Sequence, residues 1–115
     1  MKKLEIVIKP EKLEELKEIL NTCDVQGLMI TNVMGYGNQK GFQKSYRGTA
    51  YTVNFLPKIK VETITDAETA ELIIKIITER LCVGSEDEIG GGKIFVYDVA
   101  DVVRIRTGDR GHDAI

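Results

Sequence analysis

Residues 56–80, LPKIKVETITDAETAELIIKIITER, pass from an extended pattern directly into a helical one. Leu56–Thr65 reads as a strand, with Pro57 near its start, where a missing ladder donor is tolerable. Thr65-Asp66-Ala67-Glu68 fits a capping box, in which a hydroxyl and a carboxylate satisfy the free backbone donors of a helix start. Ala70, Ile73, Ile74, Ile77 and Leu81 then recur at helical spacing and predict its buried stripe.

The same two patterns occur earlier in the chain. Lys3–Lys9 sets Leu4, Ile6 and Ile8 against Glu5, Val7 and Lys9, the period of two that marks a strand. Pro10 suits the first turn of a helix, where its missing donor costs nothing, and Leu13, Leu16, Ile19 and Leu20 carry that helix to Asn21 and Thr22. Gly27–Tyr36 reads as a second strand, and Lys93–Val99 and Val102–Thr107 as further strands. This order predicts an α+β, ferredoxin-like βαββαβ fold, with an antiparallel sheet and both helices on one face. In Ile59–Ile64 and Ile94–Tyr97 apolar residues fall on both sides of the strand, so the face away from the helices is expected to be covered, most simply by a partner subunit.

Composition limits the function classes. The net charge of -2, with 30% charged residues, argues against sequence-independent nucleic-acid binding, which needs a large positive field. No apolar run approaches the roughly 20 residues that span a bilayer, and Met1-Lys2-Lys3 leads into alternation rather than a signal core, so a cytoplasmic protein is expected. Cys23 and Cys82, without CxxC spacing and with His112 as the one imidazole, predict free, largely buried thiols rather than a zinc site. No nucleophile, base and orienting group stand together, so no catalytic residues are assigned and the chain is not expected to be an enzyme.

Between the second and third strands, Gly35–Glu62 holds roughly twenty loop-like positions, far more than a connection in a domain of this size needs. Lys40, Lys44 and Arg47 supply cations and Phe42, Tyr46, Tyr51 and Phe55 aromatic surface, the make-up of a docking arm. A second concentration of chemistry lies further on. Gly90-Gly91-Gly92-Lys93 precedes a strand, and Arg104 and Arg106, two apart on the last strand, would project from one face. Glycine admits close backbone donors, lysine a point charge and arginine a planar fork, so together they could hold a polyphosphate. Taken singly, a glycine run is often only a turn, and paired arginines only a solvated face.

Three motifs in order decide between those alternatives. With GYGNQKG at 35–41, YRGTAYTVNFLPKIKVE at 46–62 and GGGKIFVYDVADVVRIRTGDRG at 90–111, the chain resembles the PII signal-transduction proteins of nitrogen regulation from Met1 to Ile115, with one interruption between Gly84 and Gly90. The resemblance implies a single PII-type domain over 1–115 that assembles as a compact homotrimer, with a docking (T) loop at about 37–55, a B-loop at about 83–92 and a C-terminal loop at about 107–115. It implies ATP or ADP in clefts between subunits, bound by Gly90, Gly92, Lys93, Arg104 and Arg106, with Gly35, Gly37 and Glu62 from the other side; Asn38 and Ile64 complete the set. Gln39 and Lys58 match the residues for 2-oxoglutarate, which chelates a magnesium ion that also touches the ATP phosphates, with Gln39 as the metal-facing residue. Arg47 matches the arginine that docks on ammonium transporters, and Tyr51 the position uridylylated in some relatives.

Some positions depart from the family's pattern. Asn38 stands where many relatives place a phosphate-reaching arginine, and Met29 where a threonine commonly meets the adenine. Glu86, Asp87 and Glu88 belong to a turn about three residues longer than usual, beside the expected phosphate cradle. The expected function is a regulator that senses ATP/ADP and 2-oxoglutarate and controls an ammonium transporter, glutamine synthetase or another nitrogen-metabolism protein, reaching a membrane only through such a partner. An adenylate sensor of another pathway that ignores 2-oxoglutarate is the alternative. A small ferredoxin-like phosphohydrolase is the rival of a different class.

Overall fold

The computed structural model describes the backbone of residues 1–36, 42–46, 49–53, 55–81 and 92–115, and the side chains of these outside 42–53. β1 (Lys2–Ile8) is followed by a 3₁₀ turn at Pro10–Lys12 and by α1 (Leu13–Thr22). β2 (Met29–Tyr36), β3 (Phe42–Tyr46), β4 (Thr49–Val53) and β5 (Phe55–Thr65) come next, then α2 (Ala67–Arg80) and β6 (Lys93–Asp98). Four strands form a sheet in the order β2-β5-β1-β6, antiparallel throughout. That is the ferredoxin-like arrangement expected from the order of elements.

The register explains which residues form the core. Leu4, Ile6 and Ile8 lie opposite Thr63, Val61 and Ile59, so these positions share one face of the sheet. Leu16, Ile19 and Leu20 of α1 and Ala70, Ile73 and Ile77 of α2 join the same buried cluster, which places both helices on that face. Seven large side chains there are under 2% exposed, each contributing about 1.5–3 kcal/mol of burial.

The opposite face differs from the expectation of an apolar surface. Lys60 pairs with Glu5 at 4.0 Å and Glu62 at 3.5 Å, and Lys3 reaches Glu62 at 3.6 Å while standing 5.4 Å above the Tyr97 ring. Cross-strand ion pairs occupy its centre because Glu5 and Glu62 are direct neighbours in register, and two carboxylates side by side require cations between them. Phe95 and Tyr97 remain half-exposed beside this lattice.

Four local expectations are corrected. The long connection is not all loop, because β3 and β4 pair as a separate two-stranded ribbon from Phe42↔Val53 to Tyr46↔Thr49. Val102–Thr107 is not a strand: a lone bridge joins Val103 to Arg110, the Gly108 amide donates to the Arg104 carbonyl at 2.7 Å, and Gly108 takes φ 76° to close the turn. The cap of α2 is Asp66 rather than Thr65: Asp66 Oδ1 accepts from the Thr69 amide at 2.7 Å, while the Thr65 hydroxyl donates to the Asp66 carbonyl. Cys23 is half-buried rather than largely buried, and Cys82 lies outside the described residues.

The cap gives a first test. The Thr69 amide and hydroxyl hold the Asp66 carboxyl below its usual 3.8 by stabilising the anion. A depressed carboxyl stabilises the fold above its unfolded value and loses that contribution as pH falls through the folded value. Asp98, held down by Lys2, and Asp101, held down by Arg110, lose stability in the same acid range, so the difference between variants isolates Asp66. Asp66→Ala is expected to lower the melting temperature at pH 7, whereas Asp66→Asn keeps the cap and flattens the dependence below about pH 4. Equal melting curves for wild type and Asp66→Ala at pH 7 would refute the role of the cap.

Candidate functional site

β2 and β5 carry the long arm. Their last register pair, Tyr36↔Phe55, stacks the two rings at 5.0 Å, with both still exposed at the root of the arm. Lys58 follows closely on β5, and its stem lies against Gly35, where an added Cβ would come within 3.2 Å of Lys58 Cγ. Burial first, and then the charge of Lys9, lower the pKa of this ammonium, with Glu11 acting in the opposite direction. At the same end, Gly92 adopts φ 113° and leads into Lys93, which lies opposite Val7. A Cβ at position 92 would sit 2.4 Å from the Val7 carbonyl oxygen, so glycine is required both by conformation and by space.

A second group lies at the other end of the same sheet face. Lys3, Met29, Glu62, Ile64, Arg104 and Ile115 line an open cavity of about 610 Å³, large enough for a ligand of nucleoside size. The Arg104 guanidinium stands 3.7 Å from the Asp109 carboxylate and donates to the Ile115 carbonyl oxygen at 3.3 Å. Its backbone amide donates to the Asp109 carbonyl at 2.9 Å, so the turn fixes the arginine from both its main chain and its side chain. The Thr63 hydroxyl donates to the Gly27 carbonyl at 2.7 Å and ties the strand leading into Met29 to β5. Met29 is exposed and lines the cavity at the position where the sequence departs from a hydroxyl.

Within one copy of the chain the described residues of the expected nucleotide set fall in different places. Gly35 stands against Lys58 and Gly92 against Val7; Lys93 lies opposite Val7 and so level with Lys60, and Arg104 lines one cavity with Glu62 and Ile64. Lys58 and Ile64, both on β5, are separated by about 20 Å of strand, with the Lys60–Glu5–Glu62 ion pairs between them. Among the described residues, Lys58 with Gly35 and the cavity of Ile64 and Arg104 do not converge within one copy. Arg106 is exposed within the turn that replaces the expected last strand, so its alternation with Arg104 on a strand face does not hold. Gly37, Asn38, Gln39, Arg47 and Gly90 lie outside the described residues, as do the side chain of Tyr51 and the acids Glu86, Asp87 and Glu88. Among the described residues no group of three His, Cys, Asp or Glu is placed to hold a metal, and no helix is long and apolar enough to cross a membrane.

Sequence reasoning did not find Lys3, Gln26, Leu28 or Ile115 as lining residues. Lys3 reaches the cavity through its register opposite Ile64, and Ile115 through the folding back of the last turn. Neither leaves a local pattern.

A family model described as Nitrogen regulatory protein P-II matches residues 1–109. The chain belongs to the P-II family of nitrogen regulatory proteins. It is 50% identical to a Nitrogen regulatory protein P-II of Rhizobium meliloti and 47% identical to one of Cereibacter sphaeroides, covering all of each chain in both comparisons. It is 44% identical to Nitrogen regulatory protein P-II 1 of Methanothermobacter thermautotrophicus, covering 97% of that relative. This P-II chain is accordingly a nitrogen signal-transduction regulator.

Proposed function

We propose that this P-II chain works as a homotrimer that binds ATP or ADP between subunits, reads 2-oxoglutarate through Gln39, Lys58 and magnesium, and signals through the 37–55 arm. The observation that carries this is the separation along β5 of Lys58, held against Gly35, from Ile64 and the cavity that it lines with Arg104. A second copy that brings its own cavity beside the first copy's arm would complete a site that neither builds alone. Gly35 and Gly92 would let backbone donors approach phosphates, with Gly37 and Gly90 extending the cradle and Asn38 beside it. Lys93 would supply a point charge, and Arg104 and Arg106 planar forks. Glu62 and Ile64 would shape the remaining wall.

In this scheme ligand occupancy shifts the arm between conformations, because a ligand moves an equilibrium only by binding its states unequally. The arm, with Arg47 near its tip, would dock on an ammonium transporter or another nitrogen-metabolism protein, and Tyr51 is the position open to modification. The working compartment is then the cytoplasm, and the chain acts by binding rather than by turnover.

Light scattering at micromolar concentration tests the assembly, with an expected mass of about three chains. A stable monomer would leave the two groups unjoined and sink the shared site. ATP turnover at the rate of a true phosphohydrolase would instead favour the enzymatic rival.

A further inference from the structure

The segment that carries Arg104 is a hairpin closed by a single carboxylate. Asp101 Oδ1 accepts from the Val102 amide at 2.8 Å and the Gly111 amide at 3.1 Å, and Oδ2 accepts from Arg110 Nε at 2.7 Å and from its Nη2. One side chain thereby gathers both legs of the hairpin at its base. The Gly111 amide donates to the Val102 carbonyl at 2.9 Å, Val103 bridges Arg110, and Arg104 with Asp109 forms the next rung outward. Thr107 and Asp109 close the tip through a hydroxyl–carboxylate bond of 2.8 Å. Arg104 thus sits one rung beyond a four-bonded clamp.

We propose that Asp101 is a positioning residue for nucleotide binding: its clamp on Arg110, Val102 and Gly111 sets the direction of the Arg104 guanidinium toward the cavity that it lines with Glu62 and Ile64. This rests on the adenylate site proposed above. An exposed ion pair alone contributes little to stability, but a carboxylate that also ties two backbone amides fixes the path of the chain. No residue of this hairpin belongs to the buried core cluster, so opening it acts on the geometry of Arg104 rather than on the core. Asp109, 3.7 Å from the Arg104 guanidinium, holds the side chain in the same place until phosphate oxygens replace it.

Calorimetry with ADP and ATP on Asp101→Ala, Arg104→Ala and the double variant tests this in the assembled protein. Asp101→Ala is expected to weaken both nucleotides about five- to tenfold, with the assembly retained and a small fall in melting temperature, and to add nothing in the Arg104→Ala background. Arg110→Ala, which keeps the two amide bonds, should weaken binding in the same direction by less, and carries the test if Asp101→Ala fails to fold. Wild-type affinity in both clamp variants, with Arg104→Ala impaired, overturns the positioning role and leaves the adenylate site standing. An Asp101→Ala loss of equal size with and without Arg104 also overturns it, since the effect would then bypass the arginine. Unchanged binding in Arg104→Ala would overturn both the clamp and the assignment of that cavity.

Discussion

Arg104→Ala and Lys93→Ala are each expected to weaken ATP and ADP binding by on the order of 1.5–3 kcal/mol, roughly ten- to 150-fold in affinity, the range for a charge-assisted hydrogen bond. Neither side chain belongs to the buried core, so the fold and the assembly should survive both changes. Lys93 opens β6 opposite Val7, whereas Arg104 lies in the last hairpin beside Glu62 and Ile64. In the shared-site scheme they come from two chains. Coexpressing the two variants then provides a sharper test: random mixing should restore wild-type affinity at about a quarter of the sites, because an intact Arg104 from one chain meets an intact Lys93 from the next. No recovery in mixed assemblies would place both residues in a site within one chain, and unchanged affinity in both single variants would move the site elsewhere.

Gln39→Ala and Lys58→Ala should abolish the 2-oxoglutarate response while leaving magnesium-free ADP binding nearly intact. The physical reason is clearest at Lys58, whose ammonium is disfavoured by burial and by Lys9. A group so shifted costs stability while charged, and the fold gains as pH rises through the lowered pKa toward the ordinary 10.5. A bound carboxylate would offset the same cost near neutral pH. Lys58→Met, which keeps the stem against Gly35 and removes the charge, is therefore expected to keep the fold and still lose the response. A lowered melting temperature with the response retained would assign Lys58 to packing alone. If wild-type protein binds no 2-oxoglutarate in the presence of magnesium and ATP, the adenylate sensor without a keto-acid response replaces the nitrogen-signal scheme proposed here, with Asn38 and the acids at 86–88 as the first residues to restore toward the family's pattern.

Much of the fold was legible because its periods are local. Leu4, Ile6 and Ile8 alternate, and Ala70, Ile73 and Ile77 recur, with no need of knowledge of any distant residue. The glycine before Lys93 reads in the sequence as part of a cradle, whereas the structure requires glycine at 92 because of the Val7 carbonyl, which belongs to another strand. The last segment misled because Val102–Thr107 alternates well enough for a strand, yet its amides are taken by Asp101 and by its own turn. The arm misled in the opposite direction: glycines and cations masked the ribbon of β3 and β4.

The sequence by itself determined the βαββαβ order of the main sheet and its helices, the helix-facing core and the family, since each is written in spacing along the chain or in contiguous motifs. Only the tertiary structure decided that Lys58 stands against Gly35 while Arg104 stands with Glu62, and that Asp101 ties the two legs of the last hairpin. Those are consequences of strand register and chain reversal, and register is set by which faces bury against the helices, a competition among all the strands at once.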